Sequence, residues 1–389
     1  MGANAKIAAA ADASTPRARL HREPPSPTRD DFQRDRDRVL HAAAFRRLAH
    51  KTQVFVPIEG DHFRTRLTHT IEVAQIARAL ARGLGLDEAL ADTVALAHDL
   101  GHTPFGHTGE DALAACMAAH GGFDHNAQAL AVVTRLERRY AGFDGLNLCF
   151  ESLEGLVKHN GPLTGPHARD TAAPDASIVA FDRAMPLGLD LHAGAEAQAA
   201  ALADDIAYDA HDLDDGLRAG LFSLDALRGV DFLRDALGEI ARLHPGLEPS
   251  RATYELTRRV ITRFVEDALA ASAPRLAGLS SFEDVRRAEG QSVGFSPALA
   301  AADRAIKAFL YPAMYRHPDV MRVRREADSV VRRLFERFLA DPAAMPADWA
   351  KVARDGDPAR AVADYVAGMT DRYALSEHRR LFGSAPEMR

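Results

Sequence analysis

The sequence predicts an all-α protein, a helical bundle with few or no strands, and three observations carry that expectation. Apolar residues return at spacings of three and four through most of the chain, the signature of one-sided helices. Strand-like text is short and rare, the clearest piece being VFVPI at 54–58. At 389 residues, 47% hydrophobic and 26% charged, the chain has ordinary globular composition and ample material for a core.

Residues 1–28 are rich in Ala, Pro, Ser and Arg and hold no apolar stretch long enough for a signal peptide, so a disordered N-terminal tail is expected. A core is expected over 29–220, with a helical C-terminal region over 221–389 packed on it as one continuous domain. From Asp30 the text is helical, with Phe32, Val39, Leu40, Ala43 and Leu48 as the apolar stripe. The arginines opposite read as a solvated face, or else Arg46, Lys51 and Gln53 end the helix facing a ligand. VFVPI is then a short strand or extended segment, and EGD at 59–61 a turn.

A helix over 67–84 places His69, Val73, Ile76, Leu80 and Leu84 on one stripe, which sets an imidazole on an apolar face. A packed core histidine would look the same. Arg66, one turn earlier, points the same way, and an arginine aimed inward needs an anion. The next helix starts at Asp87 as N-cap, carries Leu90, Val94 and Ala97, and closes near Gly101, where a left-handed cap is expected. Helices over 107–120 and 125–139 follow, broken by HGGFD, and another closes at Gly161 and Pro162 before a loop through 175.

Over 196–216, Ala197, Ala201, Asp204, Tyr208 and Asp212 share one helical stripe, while Leu202, Ile206, Leu213 and Leu217 share another. Two acids bracketing a tyrosine among alanines make either a solvated face or the wall of a site. The remainder, 222–382, is amphipathic helix. Core material comes from Tyr254, Val260, Ile261, Phe264, Val265 and Leu269, and from Val320, Val323, Ala327, Val331, Leu334 and Phe338. The arginines at 322, 324, 325, 332 and 333 read as a solvated outer face.

Composition also excludes. A net charge of −7 gives no global basic field for a nucleic acid, although a local basic pocket for one small anion is compatible with it. Cys116 and Cys149 form no CxxC pattern and read as buried thiols of a reducing, cytoplasmic compartment. No run of about 18 apolar residues occurs, so no membrane partner is expected. Neither GxGxxG nor GxxxxGK[ST] is present.

The chemistry concentrates in HDLGHTPFGHTGE, 98–110, with His98, Asp99, His102, His107 and Glu110. His69, His98, Asp99 and Asp204 come from three helices, each on a face that is otherwise hard to justify. Two imidazoles and two carboxylates suit Mn2+, Mg2+, Fe2+ or Zn2+. An ion held so can lower the pKa of a bound water and neutralise charge growing on phosphorus. His107, three residues before Glu110 on one helical face, is the acid–base candidate. Arg66, with Lys51, Arg46 and His102 as further candidates, could hold phosphate oxygens.

RLTH at 66–69, HDLGHTPFGHTGE at 98–110 and ADDIAYDAHDLDDG at 203–216 stand in the H…HD…D order of the HD superfamily. With FRRLAHKTQVF, EGDHFRTRLTH, GFDHNAQAL, KHNGP and AGMTDRYALSEHRRLF, the chain resembles the deoxyguanosine triphosphate triphosphohydrolase-like (dNTPase) family from about Asp30 to Phe382. The resemblance implies an HD-domain helical bundle with additional C-terminal helices, and release of intact triphosphate from a deoxynucleoside triphosphate by attack at the α-phosphorus. It implies one divalent metal per chain on His69, His98, Asp99 and Asp204, with His107 and Glu110 as the acid–base pair. It places Arg66 and His102 at phosphates, Gln53 at the sugar and His125 beside the pocket. Tyr208 would pack under the 2′ carbon and exclude ribonucleotides, and Asp212 would take the 3′-hydroxyl. A homo-oligomer belongs to the same expectation, and the need for a nucleotide activator stays open. Two other readings share the motifs: another HD phosphohydrolase, acting on nucleoside monophosphates, guanosine tetraphosphate or nucleic-acid ends, and a dNTP-sensing protein with slow turnover. The Asp204–Tyr208–Asp212 face disfavours the first, and His107 with Glu110 the second.

Overall fold

In a computed structural model, described over residues 6–55, 63–168, 172–386 and 388, the protein is all-α: the described residues hold seventeen α-helices and only isolated β-bridges. Helix α1 (Asp31–Leu40) starts at Asp30, whose carboxylate and the Gln33 side chain cap it reciprocally. The single helix expected here breaks at His41 and resumes as α2 (Ala43–Arg47) and a tight turn to His50. Helix α3 (Arg66–Leu84) opens on a Thr65–Thr68 capping box and ends on left-handed Gly85. In α4 (Glu88–Ala97) the Asp87 carboxylate accepts the Leu90 N–H at 2.9 Å, as the N-cap reading requires. Then come α5 (Gly106–Met117), α6 (His125–Ala131), α7 (Phe150–Lys158), α8 (Ala176–Ala184) and the long α9 (Ala195–Arg218). The chain continues through α10 (Asp231–Leu243), α11 (Pro249–Ala277), α12 (Phe282–Arg286), α13 (Pro297–Leu310) and α14 (Pro318–Ala340). It ends with α15 (Ala347–Asp355), α16 (Pro358–Ala367) and α17 (Asp371–Phe382). None of the described helices is long and apolar enough to cross a membrane.

The helices bury two apolar clusters. In the first, α3 packs against α4 and α9, with α1, α7 and α11 around them. Val73, Ile76 and Leu80 meet Leu90, Val94 and Ile206, and alanines at 199, 203 and 207 let α9 lie close. In the second, Val323, Val331, Leu334 and Phe338 of α14 meet Ala112, Leu113 and Met117 of α5 and Val362 and Val366 of α16. Leu113 and Met117 are fully buried there, and each contributes roughly 1.5–3 kcal/mol on burial. Helix α5 therefore belongs with the C-terminal helices, whereas α3, α4 and α9 belong with the first cluster.

Several expectations need correction. Residues 6–28 are no loose tail: Ala9 and Ala11 are buried in the first cluster, the Ala11 N–H donates to buried Glu196 at 2.9 Å, and Arg19 pairs with Asp31 at 2.7 Å. A few alanines and one arginine suffice, which bulk composition conceals. Gly101 is not left-handed; it is needed because a Cβ there would come within 2.0 Å of the His125 carbonyl. The arginines of α1 are not simply solvated, since buried Arg38 donates to the Leu146 carbonyl at 2.7 Å. Tyr254 is exposed, and Leu256 takes its place in the core. Of VFVPI only Val54 and Phe55 fall within the described residues, and the EGD turn lies outside them.

Candidate metal and acid–base site

Three helices of the first cluster bring the ligand candidates together. His69 lies one turn into α3 and is buried; its Nε2 is 2.9 Å from Asp204 Oδ1 on α9. His98 caps the end of α4, where its Nδ1–H donates to the Ala95 carbonyl at 2.6 Å. That bond turns Nε2 toward Asp99 Oδ1 at 3.4 Å and Asp204 Oδ1 at 3.6 Å. One ligand atom each from His69, His98 and Asp99 lies within 4.8 Å of the others. Asp204 keeps 35% of its side chain exposed, so the cluster has one open side.

An outer shell fixes the protons. His69 Nδ1 is 3.2 Å from His211 Nδ1, and His211 Nε2 is 3.1 Å from Glu72 Oε2. An ionised carboxylate only accepts, so His211 donates from Nε2 to Glu72 and accepts at Nδ1 from the His69 Nδ1–H. The lone pair of His69 Nε2 then faces a carboxylate oxygen, and two acceptors that close need a positive charge between them. Asp99 Oδ2 is likewise buried with no partner among the described residues. Burial pulls the His98 pKa down, but Asp99 and Asp204 outweigh it and push it up to about 9. Against the same desolvation, Arg66, His98 and His102 hold Asp99 well below the usual carboxylate range. His98, His69 and the hydrogen bonds they make do the same for Asp204. The donor set and its unmet charge fit a divalent cation.

The second cluster supplies α5. Glu110 reaches His107 Nδ1 at 3.2 Å with one oxygen, and accepts from the His125 backbone N–H at 3.0 Å and ring Nδ1 at 2.7 Å with the other. Burial alone would raise this carboxyl; His107 and His125 hold it far below its ordinary value. His107 itself is open to solvent, with 60% of its side chain exposed. His102 stacks on His125, ring centroids 4.3 Å apart, and its Nε2 is 3.1 Å from Asp99 Oδ1. His102 thus bridges the ligand group and the Glu110 group.

On α9, Tyr208 lines a cleft together with Gln53, His107 and Tyr315, while Asp212 lies buried behind it and does not line the cleft. Asp212 is buried, and burial lifts its pKa to about 7 although the Tyr315 hydroxyl donates to it. Tyr315 packs on Tyr208 with centroids 5.8 Å apart. Neither Tyr315 nor His211 was anticipated. Tyr315 sits beyond α13 with no sequence spacing to tie it to α9, whereas His211, seven residues after Asp204, shares its helical face, and that spacing could have found it.

Two basic candidates, Lys51 and Arg46, are placed otherwise than expected, whereas Arg66 points inward to an anion as expected. Lys51 does not face open space: its buried ammonium donates to the carbonyls of His102 and, at 2.8 Å, Ala367. Arg46 donates to the His41 carbonyl at 3.0 Å and lines a separate cavity with Arg47, Arg139 and Trp349. Arg66 is buried with Nη1 3.0 Å from Asp99 Oδ1, so in this structure its first role is to hold a ligand carboxylate.

The HD domain family matches residues 66–179, and the phosphohydrolase-associated domain matches residues 293–380. The chain is similar to a deoxyguanosinetriphosphate triphosphohydrolase-like protein of Azorhizobium caulinodans, 56% identical over 398 residues, covering 100% of this chain and 99% of the relative. A deoxyguanosinetriphosphate triphosphohydrolase-like protein of Rhizobium etli is 54% identical over 395 residues, covering 100% and 98%. The deoxyguanosinetriphosphate triphosphohydrolase-like protein 1 of Mesorhizobium japonicum is 56% identical over 393 residues, covering 100% and 97%.

Proposed function

Because the chain belongs to the deoxyguanosinetriphosphate triphosphohydrolase-like family of HD-domain hydrolases, we propose that it hydrolyses a deoxynucleoside triphosphate to a deoxynucleoside and inorganic triphosphate. The observation that carries this reading is the meeting of His69, His98, Asp99 and Asp204 beside the His107–Glu110 pair, with Tyr208 lining the cleft that His107 opens on. A divalent cation there, Mn2+ or Mg2+ before Fe2+ or Zn2+, supplies charge for the attacking water and for the α-phosphate.

The protein's own residues do the rest. The water oxygen bonds to the α-phosphorus, the bond to the sugar 5′-oxygen breaks, and that oxygen leaves as a hydroxyl. His107 is exposed enough to meet substrate, and Glu110 orients its ring from Nδ1, leaving Nε2 for proton transfer. Arg66 keeps Asp99 ionised and, with His102, borders the triphosphate side. Tyr208 packs against the sugar where a 2′-hydroxyl would collide, and Asp212 takes the 3′-hydroxyl. His125, beside the pocket, steadies Glu110 through its backbone N–H and ring Nδ1.

Purified protein incubated with Mn2+ and each deoxynucleoside triphosphate should yield deoxynucleoside and triphosphate, resolved by chromatography. Monophosphate with pyrophosphate would place the attack elsewhere and overturn the reading. Turnover of a nucleotide mixture that no single nucleotide sustains would identify an activator. The same reading has the chain assembling with copies of itself, which sedimentation checks.

A further inference from the structure

The side chains assigned to proton transfer are also a set of metal donors. One ligand atom each of His102, His107 and Glu110 lies within 4.8 Å of the others, a second such group beside that of His69, His98 and Asp99. His107 and Glu110 stand three residues apart on one face of α5, a spacing at which a helix can present an imidazole and a carboxylate to one ion. His102 comes from the loop before that helix. Two imidazoles and one carboxylate are the donor set of open zinc centres, where a fourth position is left to water or an incoming ligand.

The hydrogen on His102 is placed to suit an ion. His102 Nε2 lies 3.1 Å from Asp99 Oδ1, and an ionised carboxylate only accepts, so Nε2 carries the hydrogen. The lone pair is then on Nδ1, which belongs to a buried ring and has no hydrogen-bond partner among the described residues. An imidazole held by a carboxylate at one nitrogen and bare at the other is the arrangement that metal-bound histidines show. Glu110 brings the negative charge, and the charge of Arg66 is already met by Asp99 at 3.0 Å. His107, with 60% of its side chain exposed, gives the group a path of entry from solvent. The overlapping group of Glu110, Asp124 and His125 is engaged internally: Asp124 holds the Ala127 N–H at 2.9 Å, and His125 Nδ1 is 2.7 Å from Glu110.

We propose that His102, His107 and Glu110 form a second, inhibitory cation site that takes Zn2+ while the first site keeps its own metal. Imidazole-rich donors prefer Zn2+ to Mn2+ or Mg2+, which favour oxygen ligands and stand lower in the divalent series. A His107 ring held by Zn2+ through Nδ1 carries its single hydrogen on Nε2 and can gain no second one. It is then barred from the imidazolium form through which an acid–base histidine passes. Binding stands on the geometry alone; the silencing of turnover rests on the hydrolase reading.

The test reads metal and modification before activity. Elemental analysis after equilibrium dialysis should find two Zn2+ ions per chain on the unaltered protein and one on Glu110→Gln. A single ion on the unaltered protein would overturn the proposal, and two on E110Q would place the second ion elsewhere and do the same. A second arm needs no variant. With Mn2+ present throughout, added Zn2+ should protect His107 of the unaltered protein from diethyl pyrocarbonate, read by peptide mass spectrometry. Exposed His244 serves as the control that stays reactive. Equal modification of His107 with and without Zn2+ would sink the site. Mn2+-supported turnover should fall in step with the protection of His107. Protection with undiminished turnover would overturn the silencing and the acid–base reading together and leave the ion site standing. Absence of hydrolysis with every nucleotide would remove the proposed reaction, and the metal count and the protection would still decide the site.

Discussion

His211 touches no place where an ion would sit, yet it decides which nitrogen of His69 carries hydrogen, because Glu72 beyond it can only accept. Its replacement by alanine should weaken Mn2+ binding by about 10- to 100-fold. Turnover at saturating Mn2+ should stay near that of the unaltered protein, and a metal titration of activity separates the two. His107 and Asp204 should behave in opposite ways. His107→Ala keeps its metal by elemental analysis and loses about 10²- to 10⁴-fold in turnover, whereas Asp204→Ala loses metal and turnover together. A His107→Ala protein with undiminished activity would remove this imidazole from the chemistry. At this scale the sequence was legible wherever a helix repeats: His69, Tyr208 and Asp212 stand out because the 3.6-residue period assigns them a face. Lys51 and Arg46 were not legible, since a lone cation near a motif carries no periodic sign of whether it meets a ligand or a carbonyl.

At the scale of elements, the turn between α16 and α17 holds the loop that aims His102 and His107. Buried Asp371 accepts the N–H groups of Thr52 and Phe105, both at 2.8 Å, and Lys51 ties the His102 carbonyl to that of Ala367. Phe105 sits at φ 63, a left-handed conformation that costs roughly 1–2 kcal/mol for a residue with a side chain and holds only when its N–H is secured. Asp371→Ala should therefore lower kcat by at least about 10-fold, the order of one misplaced catalytic group, with metal content unchanged. Glu196, at the start of α9, gives a pH test. Burial raises its pKa from 4.5 to about 7 while it holds the Ala11 and Asp87 N–H groups at 2.9 and 3.1 Å. An acid that binds its proton more tightly when folded lends stability below pH 4.5 and loses it as pH rises through about 7. Glu196→Gln should be flatter across that window and more stable than the parent at pH 8, read as melting temperatures from pH 5 to 9. No sequence pattern announced these ties, because an N-terminal stretch and a C-terminal turn meet the core through single hydrogen bonds rather than stripes.

Across the whole molecule, the ligand helices α3, α4 and α9 stand in one apolar cluster and α5, with His107 and Glu110, in the other. Leu334 of α14, fully buried in the second cluster, touches no part of the site. Leu334→Ala should cost about 2–5 kcal/mol of stability. It should also depress turnover more than Mn2+ affinity, since α14 holds α5 and not the ligands; equal losses in both would argue that the clusters respond as one. Bundle class and helix order could be read from periodicity, but the partition could not, because no spacing says which distant helix a given stripe will meet. The partition has a consequence for shortened forms of the chain. A product ending before α14 would retain every residue needed to capture a cation and forfeit the scaffold under the proton donor, leaving a chelator where a hydrolase had been.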